Sequence, residues 1–153
     1  MANKYTQLLI QLVFAVKGRE SFIDESFRER LEKQMCGTAK NKGHKPLAIY
    51  CMPDHVHFLI GLNPDHKISD LVKEIKISSS NFIRENVSNG NKFYWQEGYG
   101  AFSYAKSQLD NVVKYILNQP EHHKKQTFKF EYIQFLQKFG IDYDEKYLFE
   151  FYD

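Results

Sequence analysis

Residues 52–60 read Met-Pro-Asp-His-Val-His-Phe-Leu-Ile, a Pro-Asp turn followed by an apolar run that contains two histidines. In an extended strand successive side chains point to opposite faces of the sheet, so His55 and His57 share one face. Their α-carbons would lie about 6.5 Å apart, close enough for both imidazoles to reach one divalent cation. The alternate residues point the other way, toward a core. The stretch therefore predicts a core strand whose other face carries two candidate metal ligands.

The histidine pair alone is weak evidence for a metal site, since two histidines at this spacing also arise by chance on solvated strands. Two enzyme classes that use alternating histidines do not fit. A histidine-triad nucleotide hydrolase needs a third histidine where this chain has Leu59. A two-histidine phosphoesterase needs two His-x-Thr/Ser motifs, and His57 is followed by Phe58 with no second copy.

Length and composition predict one globular domain over residues 1–153, since the chain is 42% hydrophobic and long enough to bury a sizeable core. Cys36 and Cys51 are the only cysteines and do not form a Cys-x-x-Cys motif, which argues against a disulfide framework or a structural zinc site. The first residues lack the apolar region of a signal peptide, and no apolar run approaches the length of a membrane span. A cytoplasmic protein is expected.

The formal net charge of +2 is too small for the protein as a whole to attract a nucleic acid, so any nucleic-acid partner must contact local basic patches. Two groups of lysines are candidates for DNA binding, and each is also compatible with an ordinary solvated surface. They are Lys40, Lys42 and Lys45, and Lys124 and Lys125. The chain also contains 13 Phe and 10 Tyr, whose rings can stack on unpaired bases, although most are expected in the core.

The order of predicted elements indicates an α+β fold. In chain order the segments are a strand over 5–17, a helix over 24–38, a hairpin over 46–62, a helix over 68–85 and a strand region over 93–104. Strand, helix, hairpin, helix, strand is the βαββαβ order of a ferredoxin-like or RRM-like sandwich, with a core over about 5–105. Such a sheet carries helices on one face and leaves the other free, which suits exposed histidines.

A further helix is expected over about 107–119, with Ser107 as its N-cap and Asp110 at the capping-box position. At about 100° per residue, Tyr115 and Gln119 fall about 40° apart on a face that avoids the apolar stripe. Both side chains should therefore escape the core. Pro120 should end or bend this helix. A basic, aromatic tail over 121–153 follows, with a short helix near 132–139.

Three motifs together resemble the single-tyrosine HUH transposases of small bacterial insertion sequences. They are MPDHVHFLIGL at 52–62, WQEGYGAFS at 95–103 and YILNQ at 115–119. They occur in the order found in that family, and the resemblance covers essentially the whole chain, from the first strand through the tyrosine helix. No zinc-ribbon or additional domain is expected, so the chain resembles the minimal transposase.

The resemblance implies a role for each matching residue. Tyr115 matches the nucleophile of the family's additional catalytic helix, His55 and His57 match the metal-binding pair, and Gln119 matches the third ligand. The resemblance also implies Mg²⁺ or Mn²⁺, single-stranded DNA with hairpins as the substrate, and a homodimer with active sites shared in trans. Asp54 is expected to serve the turn only, because asparagine often takes its place in this pattern.

The reaction implied is attack of Tyr115 on a DNA phosphate, which leaves a 5′-phosphotyrosine and a free 3′-hydroxyl. Two alternatives remain open at this stage. One is a domesticated hairpin-processing nuclease of the same fold, and the other is a non-catalytic module that binds single strands through its aromatic residues.

Overall fold

The computed structural model describes residues 3–153, which contain a four-stranded antiparallel sheet with the order β2-β3-β1-β4. The strands are β1 Leu9–Ala15, β2 Lys45–Cys51, β3 His55–Gly61 and β4 Gly100–Tyr104. Strand β3 lies between β1 and β2 and runs antiparallel to both. This order and the helices between the strands confirm the ferredoxin-like βαββαβ core.

Helices α1 Arg28–Asn41 and α2 Ile68–Asn86 cover the inner face of the sheet. The alternate residues of β1 and β3 that point this way are apolar and fully buried; they are Leu12, Phe14, Val56, Phe58 and Ile60. The alternate apolar residues of the strands thus pack against the apolar faces of α1 and α2 and form one core. Even α2, with 19 residues, is too polar to cross a bilayer, and the same holds for every other helix within residues 3–153.

The outer face of the sheet is also covered, contrary to the expectation of a free face. Helices α3 Leu109–Leu117, α4 Gln119–His122 and α5 Phe128–Lys138 lie on this side. Helix α3 packs on Ala48 and Leu59, whereas α5 and Phe149 pack on Val13 and Phe102. The aromatic tail supplies the apolar surface for this second layer, so burial of its rings drives it onto the sheet.

The last core strand is shorter than predicted, because residues 93–99 form a loop held by a single bridge between Val16 and Trp95. The indole N–H of Trp95 donates to the hydroxyl of Ser79 at 3.0 Å, so the buried serines Ser79 and Ser80 of α2 belong to a closely packed face. Helix α1 begins four residues later than predicted, at Arg28, and continues to Asn41.

The helix predicted over 107–119 is divided in the structure. Ser107 lies in a 3₁₀ turn and does not cap the helix; instead the side-chain oxygen of Gln108 accepts the backbone N–H of Ala105 at 2.8 Å. Helix α3 ends at Leu117, and Gln119 begins the separate helix α4. Pro120 lies in the first turn of α4, where its missing N–H is tolerated. The tail helix α5 begins at Phe128, four residues earlier than predicted, because Thr127 caps it.

Candidate active site

Strand β3 positions the two histidines of the motif on the outer face of the sheet. His57 lies opposite Val13 of β1 and His55 lies opposite Ala15, so both point the same way. Their ring centroids are 5.1 Å apart. Both side chains are fully buried beneath the second layer, and the ring of His55 stacks on Phe128 of α5 with centroids 3.8 Å apart.

In both imidazoles a hydrogen bond at Nδ1 fixes the orientation of the ring. The Nδ1–H of His55 donates to the carboxylate of Asp54 at 2.7 Å. The Nδ1–H of His57 donates to the side-chain oxygen of Gln11 at 2.6 Å, while the amide nitrogen of Gln11 donates to the hydroxyl of Tyr104 at 2.7 Å. Each histidine therefore presents the lone pair of Nε2, which is the arrangement found in metal-bound imidazoles.

Asp54 thus does more than serve the turn, contrary to expectation, because its carboxylate fixes the tautomer of His55. Burial opposes ionisation of this carboxyl, but the hydrogen bond from His55 outweighs burial and lowers the pKa of Asp54 below its ordinary value. The negative charge in turn makes the imidazole of His55 a better metal ligand.

Gln119 and Tyr115 lie beside the histidines, although not on one exposed helix face. Gln119 is fully buried, and its side-chain oxygen lies 3.3 Å from Nε2 of His55. The ring of Tyr115 is half-buried, with its centroid 6.2 Å from that of His57 of the same chain. The prediction that both escape the core is wrong for Gln119, which the second layer covers, whereas Tyr115 lies outside the core clusters and is only half-buried.

A carboxylate from the tail lies at the centre of this arrangement. The Oε1 atom of Glu131 lies 2.9 Å from Nε2 of His57 and 3.2 Å from Nε2 of His123. Its Oε2 atom accepts hydrogen bonds from the hydroxyl of Tyr115 and from the amide nitrogen of Gln119, the latter at 3.0 Å. Glu131 therefore joins the tyrosine to the histidine cluster.

The charges at the site affect two pKa values strongly. Burial opposes ionisation of Glu131, but the neighbouring His57 and His123 outweigh it and hold the pKa of that carboxyl far below its ordinary value. For Tyr115, burial and the negative charge of Glu131 both raise the pKa of the phenol well above its ordinary value. Without an added positive charge the tyrosine is therefore protonated at neutral pH and is a weak nucleophile.

The donor set of this centre fits a divalent metal ion. One ligand atom from each of His55, His57, His123 and Glu131 lies within 4.8 Å of all the others. Imidazole nitrogens and carboxylate oxygens are the usual protein ligands of divalent transition metals. Among the described residues this cluster is the candidate metal site.

A cleft of about 750 Å³ opens beside the cluster, between α3 and α5. Tyr115 and Glu131 line its inner end, and the amides of Gln108, Asn111 and Gln134 line its walls. The hydroxyl of Tyr115 is therefore accessible to a ligand that enters from this side.

Comparisons with known proteins identify the family of this chain. The family model of IS200-like transposases matches residues 4–119, about three quarters of the chain. The chain belongs to this family. A curated relative, the ISDra2 transposase TnpA of Deinococcus radiodurans, is 27% identical over 120 residues, which cover 74% of this chain and 84% of the relative. The resemblance to single-tyrosine HUH transposases is therefore confirmed.

Two solved structures share the fold of this transposase. A crystal structure of a Deinococcus radiodurans R1 protein assigned as a transposase superimposes with a TM-score of 0.61 at 24% identity, covering 78% of this chain and 95% of the other. A REP-associated tyrosine transposase bound to a REP hairpin also gives a TM-score of 0.61, at 18% identity, covering 80% of this chain and 73% of the other.

Sequence reasoning missed two side chains of the transposase site, His123 and Glu131, which lie beyond the family match. A signal for Glu131 was present. Helix α5 places Phe128, Glu131 and Tyr132 on one face at i, i+3 and i+4, so an acid interrupts an apolar stripe. A buried carboxylate in such a stripe requires a partner.

The lysines predicted to bind DNA lie apart from this centre or at its margin. Lys45 begins β2 and pairs with Gly61, at the end of β3 away from His55 and about 20 Å from it. Lys40 and Lys42 precede it in the chain, and Lys42 pairs with Glu74 at 3.4 Å. Lys124 and Lys125 follow His123, and Lys124 pairs with Glu121 at 3.0 Å. Their role in DNA binding stays a prediction.

Proposed function

We propose that this transposase cleaves and rejoins single-stranded DNA at the ends of an insertion sequence, with Tyr115 as the nucleophile. One observation carries the proposal: the hydroxyl of Tyr115 donates to a carboxylate that also contacts Nε2 of His57. Tyrosine and histidine pair thus meet at one centre, next to an open cleft. A non-catalytic binding module would give this buried polar centre no role, and such centres are costly to maintain.

In the proposed reaction the oxygen of Tyr115 attacks the phosphorus of the scissile phosphodiester. A bond between the tyrosine oxygen and phosphorus forms, and the bond between phosphorus and the 3′ oxygen breaks. The phenol loses its proton and the released 3′ oxygen gains one. The covalent 5′-phosphotyrosine conserves the phosphodiester energy, so a second 3′-hydroxyl can rejoin it without ATP.

We propose His55, His57 and Gln119 as the residues that hold Mg²⁺ or Mn²⁺. When bound, the ion would polarise the scissile phosphate and neutralise the charge that develops on it. Asp54 and Gln11 hold the two imidazoles in the ligand tautomer, and the amide nitrogen of Gln119 donates to Glu131, which turns its oxygen toward His55. These side chains preorganise the site before DNA binds.

The substrate proposed is single-stranded DNA that carries hairpins. The cleft at Tyr115 is large enough for a nucleotide, and its amide side chains can hydrogen-bond to the edges of unpaired bases. One structural neighbour, the REP-associated tyrosine transposase, was solved bound to a REP hairpin. A domesticated hairpin-processing nuclease would use the same chemistry, and its own hairpin would replace the element ends as the preferred substrate.

A homodimer with shared active sites also remains a proposal. The phenol of Tyr115 lies beside His57 of its own chain in the single-chain structure, and the short helices around it would allow the same docking on a partner's sheet. Co-purified heterodimers of Tyr115→Phe and His57→Ala subunits would carry one intact composite site if the sites are shared. Activity in that heterodimer supports sharing in trans, and its absence rejects it.

Incubation with labelled single-stranded element ends and Mn²⁺ tests the proposed reaction. Wild-type protein should form an adduct that survives SDS, and Tyr115→Phe should form none while keeping its fold and its affinity for DNA. Tyr94→Phe is a matched control, since this exposed ring lies against Arg84 and not at the candidate active site. An adduct with Tyr115→Phe would reject Tyr115 as the nucleophile.

A further inference from the structure

Two of the side chains at the candidate metal centre come from the segment that follows the family match. His123 lies just after α4, and Glu131 lies on α5. The side chain of Thr127 accepts the backbone N–H of Phe130 at 3.1 Å and thereby starts α5. That start places Glu131 against the sheet with only 2% of its surface exposed.

The separations of the ligand atoms are those of groups around a single ion. The Oε1 atom of Glu131 lies 2.9 Å from Nε2 of His57, 3.2 Å from Nε2 of His123 and 3.6 Å from Nε2 of His55. Ligands bound to one ion at about 2.1 Å lie about 3 to 4 Å from one another. The carboxylate and the three imidazoles are thus close enough to share a cation after small adjustments of the side chains, since all four ligand atoms lie within 4.8 Å of one another.

The hydrogen bonds on the far side of each ring determine which nitrogen is available. His55 donates its Nδ1–H to Asp54, and His57 donates its Nδ1–H to the oxygen of Gln11. Nδ1 of His123 lies 3.1 Å from the backbone carbonyl of Gln126, which can only accept. In the neutral rings all three Nε2 lone pairs therefore point at a carboxylate oxygen, and acceptors that meet in a buried site require a proton or a metal ion between them.

We infer that His123 and Glu131 are metal ligands in this transposase, together with His55 and His57. The inference concerns metal binding and deepens the proposed function, on which its catalytic meaning rests. With the oxygen of Gln119 the centre offers five donors, which leaves one of about six positions for the substrate phosphate. The second carboxylate oxygen of Glu131 remains bonded to the hydroxyl of Tyr115 and keeps the nucleophile at the ion.

This donor set predicts the metal that the site prefers. Three imidazole nitrogens favour transition metal ions, whereas Mg²⁺ prefers oxygen ligands and retains several waters. Mn²⁺ should therefore bind at least tenfold more tightly than Mg²⁺. A site built from His55, His57 and Gln119 alone would discriminate less.

Calorimetric titration of the metal-free, full-length protein with MnCl₂ and MgCl₂ tests the inference without DNA. His123→Asn and Glu131→Gln, which preserve approximate shape, should each lower Mn²⁺ affinity at least tenfold and reduce the preference over Mg²⁺. His66→Ala and Glu121→Gln are matched controls outside the cluster and should bind Mn²⁺ like the wild type. Thermal unfolding and circular dichroism of the metal-free variants establish that each is folded.

Wild-type Mn²⁺ affinity in both folded cluster variants, together with its loss in His57→Ala, would overturn the inference and leave the proposed three-residue metal site intact. Wild-type affinity in His57→Ala as well would reject the metal site of the proposed function itself. The electron paramagnetic resonance spectrum of bound Mn²⁺ provides a second readout, since it should change in His123→Asn if His123 is a ligand.

Discussion

The transposase contains a pair of histidines outside the active site, and its hydrogen bonds differ in kind from those of the His55–His57 pair. In this pair, Nε2 of His44 lies 2.8 Å from Nδ1 of His66. The backbone N–H of Asn63 donates to Nδ1 of His44 at 2.9 Å, so Nε2 of His44 carries the proton and donates to His66. Nε2 of His66 then faces the carboxylate of Glu74 at 3.3 Å. Both nitrogens of His44 and Nδ1 of His66 therefore have hydrogen-bond partners while the rings are neutral, and Nε2 of His66 lies close to a carboxylate.

In the pair formed by His55 and His57, the Nε2 atoms point into the site and have no hydrogen-bond donor as a partner while the rings are neutral. His55 and His57 use their Nδ1–H groups on Asp54 and Gln11, and their Nε2 atoms face Glu131. The rings are equally close in the two pairs, with centroids 5.1 Å apart in each. Proximity therefore does not distinguish a structural pair from a ligand pair, but the hydrogen bond at the second nitrogen does.

The largest expected effect is on catalytic activity, and it should distinguish the His55–His57 pair from the His44–His66 pair. His57→Ala should reduce formation of the covalent adduct by about 10²- to 10³-fold, since it removes a ligand of the ion that stabilises transition-state charge. His44→Ala, the matched substitution in the structural pair, should retain wild-type adduct formation per folded molecule. Rates measured on labelled single strands check both variants. A comparable loss in both would remove the proposed distinction.

A smaller effect is expected from the residue that orients His55. Asp54→Ala should weaken Mn²⁺ binding by about 10- to 100-fold, because residues that hydrogen-bond to metal-bound histidines contribute that much. Asp54→Asn should restore most of the affinity, since its amide oxygen still accepts the Nδ1–H. Calorimetric titration with Mn²⁺ should show affinities that fall in the order wild type, Asp54→Asn, Asp54→Ala. Equal affinities in all three would show that Asp54 serves only the turn.

The structural pair predicts a pH dependence of stability. Burial, followed by the proximity of His66, lowers the pKa of His44 below its ordinary value. The unfolded chain therefore binds more protons as the pH falls, so this contribution is present above about pH 6.5 and is lost below it. The free energy of unfolding of metal-free wild type should exceed that of His44→Gln by about 1 kcal/mol at pH 8 and by less at pH 5.

Urea unfolding of both proteins at the two pH values provides the measurement. The comparison with His44→Gln is needed because burial also lowers the pKa of His57, which is present in both proteins and destabilises both in acid. A difference between the proteins that stayed constant from pH 8 to pH 5 would contradict the prediction.

The smallest effect is expected far from both pairs. Lys40→Ala should lower affinity for single-stranded DNA slightly at low salt and reduce the salt slope by about 1, if this lysine contacts a phosphate. Lys42→Ala should have less effect, since Lys42 already pairs with Glu74. Binding titrations at several salt concentrations check the two slopes, and unchanged slopes would exclude this patch from the DNA interface.

Much of the fold could be predicted from short-range patterns. Alternation in residues 55–61 places the histidines on one face, because a strand has only two faces. The stripe from Ile68 places α2 within one residue of its observed end. The spacing of the motifs also identified the family. The strand alternation, the helical stripe and each motif depend on residues that are neighbours along the chain.

The covered outer face could not be predicted in the same way. Helix α5 is rich in apolar residues, but its partners Val13 and Phe102 lie far away in sequence, so the pattern of the tail alone does not show which surface it covers. The contact between Glu131 and His57 spans 74 residues. No periodicity within the tail specifies which strand it meets.

The sequence by itself determined the βαββαβ order and the family, and it selected Tyr115, His55 and His57 as candidate site residues, because local backbone geometry and motif spacing carry that information. Only the tertiary structure decided that both histidines are fully buried and Tyr115 half-buried, that Asp54 and Gln11 orient the histidines, and that His123 and Glu131 lie beside them. The physical reason is that the aromatic rings of the tail are buried by packing on the sheet. The polar and charged side chains of the same segment are buried with them and must then find partners there.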